Sequence, residues 1–241
     1  MKIKRLYSPN FDQKKRTVKS IKILVYHYTG MQSEREAIIR LCKPTSKVSS
    51  HFLISRSGKV YGLVKENRSA WHAGNSCWGK YKNLNKNSIG IELVNKGHQF
   101  GYVSFTKKQI LSLIQISKKL IKKYKIKKKN IVGHSDIAPL RKLDPGEKFP
   151  WQKLSINRIG ICNNCNRNLL QKYRGKNIFK RSEKIKFIKN LNKIGYRFIG
   201  SKIFAFKKTI SSFQRRHRTQ LINGILDKEC MIIAENLSKK L

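Results

Sequence analysis

The chain has 241 residues, 55 of them Lys or Arg against 12 Asp or Glu, for a formal charge of +43. With 39% hydrophobic residues it can build a core, so a wholly disordered basic tail is excluded, and its length suits one medium domain with or without a small satellite. Such charge invites a polyanionic partner, but 40 of the basic residues are Lys and only 15 are the Arg that nucleic-acid readers favour, spread from Lys2 to Lys240, so no specific nucleic acid is expected.

The N-terminus, residues 1–15, has no apolar export segment, and no run approaches the roughly 20 apolar residues of a membrane span, which makes a cytoplasmic location the default. Residues 21–28 (IKILVYHY) are β-branched and aromatic and predict a strand, and residues 33–41 show helical spacing. Residues 50–55 and 59–64 predict a hairpin across Arg56-Ser57-Gly58. Residues 88–94 (SIGIELV) and 130–133 predict two more short strands. Between them, residues 106–124 predict a helix with Ile110, Leu113, Ile114, Leu120, Ile121 and Tyr124 as an apolar stripe that Ser117 interrupts. Lys118, Lys119, Lys122 and Lys123 fall between those positions, on the solvated side. Strands interleaved with helices predict an α/β domain over residues 1–155.

After Trp151 the texture changes. Residues 157–177 are rich in Asn, Gly, Cys and Arg without periodicity, and residues 156–181 read as a linker or insertion. Residues 182–241 predict a small unit of three helices, 182–192, 209–216 and 227–241, with Asp227 as N-cap of the last. The five cysteines are an odd number, which suits reducing surroundings, and Cys162-Asn-Asn-Cys165 has no second pair or nearby His to make a zinc site.

Chemistry concentrates in a few side chains. His27 and His134 fall where predicted strands end, which is where an α/β scaffold places site residues. Pro145 disfavours helix at Asp144, so Lys142 and Asp144, two apart on an extended chain, face one space. Glu92 lies in a strand with apolar residues on both sides; it is partnered, desolvated and hence raised in pKa as a general base, or turned to solvent on an edge strand. Two His and one Asp form a three-ligand zinc set with one position left for water, with Glu92 to take a proton and Lys142 to stabilise an oxyanion. Asp136 is the rival ligand; Asp144 is preferred because His134-x-Asp136 on one short extended segment would crowd a single metal, whereas Asp136 suits a turn or a hydrogen bond behind the metal.

His27-Tyr28-Thr29-Gly30, Ser50-His51-Phe52, Ala70-Trp71-His72-Ala73-Gly74, Ser88 to Asn95 (SIGIELVN), Gly133-His134-Ser135-Asp136-Ile137-Ala138-Pro139 and Lys142-Leu143-Asp144-Pro145-Gly146 occur in that order. Together they strongly resemble the zinc-dependent N-acetylmuramoyl-L-alanine amidases of the AmpD and AmiD type, over roughly residues 5–155. The resemblance implies a mixed central β-sheet flanked by helices, one Zn2+, and hydrolysis of the amide between N-acetylmuramic acid and L-Ala in peptidoglycan or muropeptides. It implies His27, His134 and Asp144 as zinc ligands, Glu92 as the catalytic carboxylate, Lys142 as the stabiliser of the tetrahedral intermediate, and Trp71, His72 and Asn95 at the rim as packing or substrate contacts. The alternative is a non-catalytic recognition protein using the same cleft, against which the intact ligand set speaks. Residues 210–217 and 222–227 resemble the helical peptidoglycan-binding module that follows the catalytic domain in such enzymes. By the same resemblance, the periplasm or cell envelope competes with the cytoplasm as location.

Overall fold

The computed structural model describes residues 2–177, 180–198 and 202–241. Among them are strands β1 (Ile3–Arg5), β2 (Ile23–Tyr28), β3 (Phe52–Ile54), β4 (Val60–Gly62), β5 (Cys77–Trp78), β6 (Tyr81–Lys82), β7 (Ser88–Leu93) and β8 (Ile131–Gly133). The α-helices are α1 (Glu34–Cys42), α2 (Lys107–Tyr124), α3 (His134–Ile137), α4 (Trp151–Ile156), α5 (Arg167–Tyr173), α6 (Arg181–Ile194), α7 (Lys202–His217) and α8 (Lys228–Lys239). Six strands form one mixed sheet in the order β1-β4-β3-β7-β2-β8, and β5 pairs with β6 apart from it. Only β3 and β4 are antiparallel in the large sheet, so β3, β7, β2 and β8 all end on the same side. In open sheets of this kind the crevice beyond the carboxyl ends of the strands is where ligands bind.

Strand β2 reads as an unbroken apolar run because helices cover both of its faces. Leu24 and Tyr26 pack with Leu113, Ile116 and Leu120 of α2 and with Trp151 of α4. Ile23 and Val25 face the other way, onto Phe187 and Leu191 of α6, Phe213 of α7 and Ile233 of α8. The C-terminal helices therefore share a core with the sheet. On α2, Thr106 and Gln109 form a reciprocal cap. Ser117, the interruption in the apolar stripe, is buried and bonds the Tyr26 hydroxyl at 2.8 Å, while Lys118, Lys119, Lys122 and Lys123 are exposed.

The structure departs from the sequence reading in several places. The stretch read as a linker or insertion contains α5, capped by the Asn166 side chain and seated on the C-terminal core through Leu170, which suits an insertion better than a linker. One buried apolar residue on a seven-residue helix leaves no periodicity to detect. Helix α7 starts at Lys202 rather than near residue 209, because Ile203 and Phe204 are exposed and break the apolar pattern. The hairpin is shorter than expected, pairing residues 52–54 with 60–62. Among the described residues no helix is long and apolar enough to cross a membrane, and all five cysteines are free thiols.

Candidate active site and metal centre

Three parallel strands deliver the site. His27 is the penultimate residue of β2, Glu92 pairs with it in register on β7, and His134 opens α3 directly after β8. The segment from Arg141 to Asp144 closes the group, and all of these residues line a cleft of about 430 Å³. The polar face of β7 carries Ser88, Gly90 and Glu92, opposite the buried Ile89, Ile91 and Leu93. Gly90 is needed there: a Cβ would meet the His72 ring at 2.5 Å, so only glycine lets that ring lie against the strand.

His27, His134 and Asp144 offer ligand atoms that all lie within 4.8 Å of one another. His27 Nδ1 is 2.9 Å from Asp144 Oδ2 and 3.0 Å from His134 Nδ1, and His134 Nδ1 is 3.1 Å from the same carboxylate oxygen. The outer nitrogens decide the tautomers. Ser88 donates its hydroxyl to the Leu84 carbonyl at 2.6 Å, so it accepts from His72 Nε2 at 3.1 Å; His72 Nδ1 in turn accepts from His27 Nε2 at 3.0 Å. His134 Nε2 donates to the Ala73 carbonyl at 3.2 Å, which also accepts from Arg141. Both inward Nδ1 atoms are thus bare lone pairs facing a carboxylate. Two lone pairs and an anion at this spacing are a donor set for a cation, and imidazole with carboxylate suits zinc.

Electrostatics agree with that arrangement. Burial above all holds His27 at about 4, so it stays neutral and able to ligate. Burial alone would raise Asp144, but the two imidazole rings that face it, when they carry the proton toward it, outweigh burial and keep the carboxylate far below its usual range. Glu92 is pushed up to about 8, by burial and then by the charge of Asp144, with Lys142 pulling the other way. Its Oε2 is sealed from solvent without a hydrogen-bond partner, and β7 lies between β3 and β2, so the edge-strand alternative does not hold.

That carboxyl has a consequence for stability. Between about pH 4.5 and 8 the folded Glu92 holds a proton that the unfolded residue has lost, so the metal-free fold loses stability as pH rises through this window. Metal-free Glu92→Gln should therefore melt several degrees above metal-free parent at pH 8, with the gain disappearing below pH 4.5. Thermal melts in chelator at the two pH values check this.

The other sequence candidates divide. Trp71 lines the cleft with its indole donating to Asp12 Oδ1 at 2.8 Å, and Lys142 lines it beside Leu143. His72 also lines the cleft, but it is buried behind His27 with both ring nitrogens engaged, so it orients the His27 ring from behind. Asn95 does not line the cleft; its amide donates to the Val103 carbonyl at 2.7 Å and accepts from Gly97, tying a loop. His51 is buried, accepting from the Gly90 amide and contacting Arg16. Asp136 sits as expected in a turn with its carboxylate hydrogen-bonded, to Arg216 and Tyr196 and away from the three ligand atoms; only the extended backbone is corrected, since residues 134–137 are helical. Sequence reasoning passed over Arg141, and also Tyr28, His98 and Glu147, which form a hydrogen-bonded row beside the cleft. Nothing local marks them, since their partners lie 49 to 70 residues away.

Comparison with known proteins places this geometry. A family model described as N-acetylmuramoyl-L-alanine amidase matches residues 17–147. The chain is 37% identical over 234 residues to the N-acetylmuramoyl-L-alanine amidase AmiD of Escherichia coli, covering 91% of this chain and 83% of that one. It is 34% identical over 168 residues to the 1,6-anhydro-N-acetylmuramyl-L-alanine amidase AmpD of Haemophilus influenzae, covering 62% of this chain and 89% of that one. Among solved structures, E. coli AmiD in complex with anhydro-N-acetylmuramic acid-L-Ala-D-gamma-Glu-L-Lys superposes with a TM-score of 0.80 at 33% identity, covering 95% of this chain and 92% of that one.

Proposed function

Since the chain belongs to the N-acetylmuramoyl-L-alanine amidase family, we propose that it uses one zinc ion, held by His27, His134 and Asp144, to cut the amide between N-acetylmuramic acid and L-Ala in peptidoglycan or its soluble fragments. The observation that carries this reading is the convergence of those three ligand atoms at the floor of a cleft that also contains Glu92 and Lys142. Zinc at such a site supplies Lewis acidity toward water and toward the scissile carbonyl.

The protein's own side chains account for the remaining steps. Glu92, raised by its buried setting, accepts the proton of the attacking water and returns it to the departing L-Ala amine. Lys142, which lines the cleft, stabilises the negative charge that grows on the carbonyl oxygen. Asp144, held ionised, leaves the bound cation partly uncompensated and so still electrophilic. Trp71 and Leu143 supply apolar wall for the lactyl-peptide. As AmiD of E. coli has been solved with an anhydro-muropeptide, we take soluble anhydro-muropeptides as the first substrate to try.

The test is a mass-spectrometric digest of whole sacculi and of soluble anhydro-muropeptides, with metal analysis of the same preparation. Release of stem peptides with a free L-Ala amine, lost on chelation, is the expected result. Full activity after complete removal of metal would sink the zinc mechanism, and binding without release would leave a non-catalytic recognition protein.

A further inference from the structure

One buried polar cluster outside the cleft is left unused by this chemistry, and it grips the segment that carries His134. Asp136 Oδ2 accepts from Arg216 Nη1 at 2.6 Å and from the Gly133 amide at 2.8 Å, while Oδ1 accepts from the Tyr196 hydroxyl at 2.7 Å. Arg216 also donates through Nη2 to the Ile131 carbonyl of β8 at 2.9 Å, and its guanidinium lies 4.1 Å from the centre of the Trp151 ring. One turn earlier on α7, Ser212 donates to the Ser135 carbonyl at 2.7 Å. The Ser135 amide donates to the Asp144 carbonyl at 2.8 Å, so the grip extends to the backbone of a second ligand.

Helix α3 has four residues, too few to hold its own geometry, and its first residue is His134. Stability alone is a poor explanation for the cluster. The Arg216 and Asp136 side chains are 3% and 1% exposed, and a buried ion pair is often replaceable by apolar packing at no loss of stability. What apolar packing could not reproduce is the pinning of Ile131, Gly133, Ser135 and Asp136 at once, on both sides of one ligand. We propose that Arg216, Tyr196 and Ser212 are positioning residues for the metal, so that the C-terminal helices complete the zinc site rather than only trailing from it. This rests on the zinc reading above.

The experiment measures zinc affinity of the full chain by competition with a chromophoric chelator, for parent, Tyr196→Phe, Ser212→Ala and Arg216→Lys, beside thermal melts of the metal-stripped proteins. Tyr196→Phe keeps its ring against Trp78 and Phe213, and Ser212→Ala removes one hydroxyl, so both fold even if Arg216→Lys does not. Each variant is expected to bind zinc about 10- to 100-fold more weakly, the range typical for partners of metal ligands, with activity restored at saturating zinc. Zinc affinity in Tyr196→Phe and Ser212→Ala within about threefold of parent, with only the melts lowered, would overturn the inference and leave the cluster as core adhesive. A parent chain that binds no zinc would instead refute the zinc reading, and the inference with it.

Discussion

His134→Ala is expected to leave a folded chain that has lost both its zinc and its release of stem peptide. The imidazole supplies one of only three converging ligand atoms, and its removal leaves His27 Nδ1 and Asp144 Oδ2 as a two-donor site. A metal contributes several kcal/mol of charge stabilisation in the transition state, and at about 1.4 kcal/mol per tenfold its loss lowers turnover by on the order of 10³-fold or more. Chelation of the parent should reproduce the effect, and zinc added back should restore the parent but not the variant. Metal content per chain and peptide release, measured on the same samples, check it. Normal zinc stoichiometry in His134→Ala would remove this residue from the ligand set. The C-terminal helices bear on the same outcome: the grip of Arg216 and Ser212 on residues 131–136 is backbone and Asp136 chemistry, so the local fold survives loss of the imidazole.

What could be read from the sequence was whatever depends on short-range pattern. Strand β2 was legible because both of its faces are covered, which made residues 23–26 continuously apolar and aromatic up to His27. Helix α2 was legible from its stripe even with Ser117 in it, since one polar residue bonded to Tyr26 does not erase an 18-residue period. The convergence of His27, His134 and Asp144 followed from strand ends and a turn, features that local residues mark. Strands β1, β5 and β6, two or three residues each, were too short to leave a period. The orientation of His72 and the identity of the partners of Asp136 were out of reach for another reason. Each is defined by partners far along the chain, His27 and Ser88 for the one and Tyr196 and Arg216 for the other. The lysine excess, the most visible compositional feature, places one side chain in the wall of the cleft, Lys142, while those on α2 face solvent.

Glu92→Gln separates the metal from the base. Glutamine keeps the shape and volume of the side chain on β7 but cannot accept a proton, and Glu92 is not among the three converging ligand atoms. Zinc content should therefore match the parent, while kcat falls by about 10²- to 10⁴-fold, the usual contribution of a positioned general base. KM should change little, because the loss concerns a proton transfer made only on the way to the transition state. The residual rate should also lose the pH dependence that ionisation of Glu92 imposes on the parent. Stability moves in the opposite direction to activity. Burial and the Asp144 charge oppose an ionised carboxylate at this position, so the neutral amide is better tolerated in the metal-free fold at pH 8. A variant slower in turnover yet harder to melt is the signature of a carboxylate placed against its own solvation for catalysis, whereas a purely structural Glu92 would lose stability on substitution. Loss of zinc together with turnover would show that Glu92 ligates the metal, and would leave the proton transfer without an assigned residue.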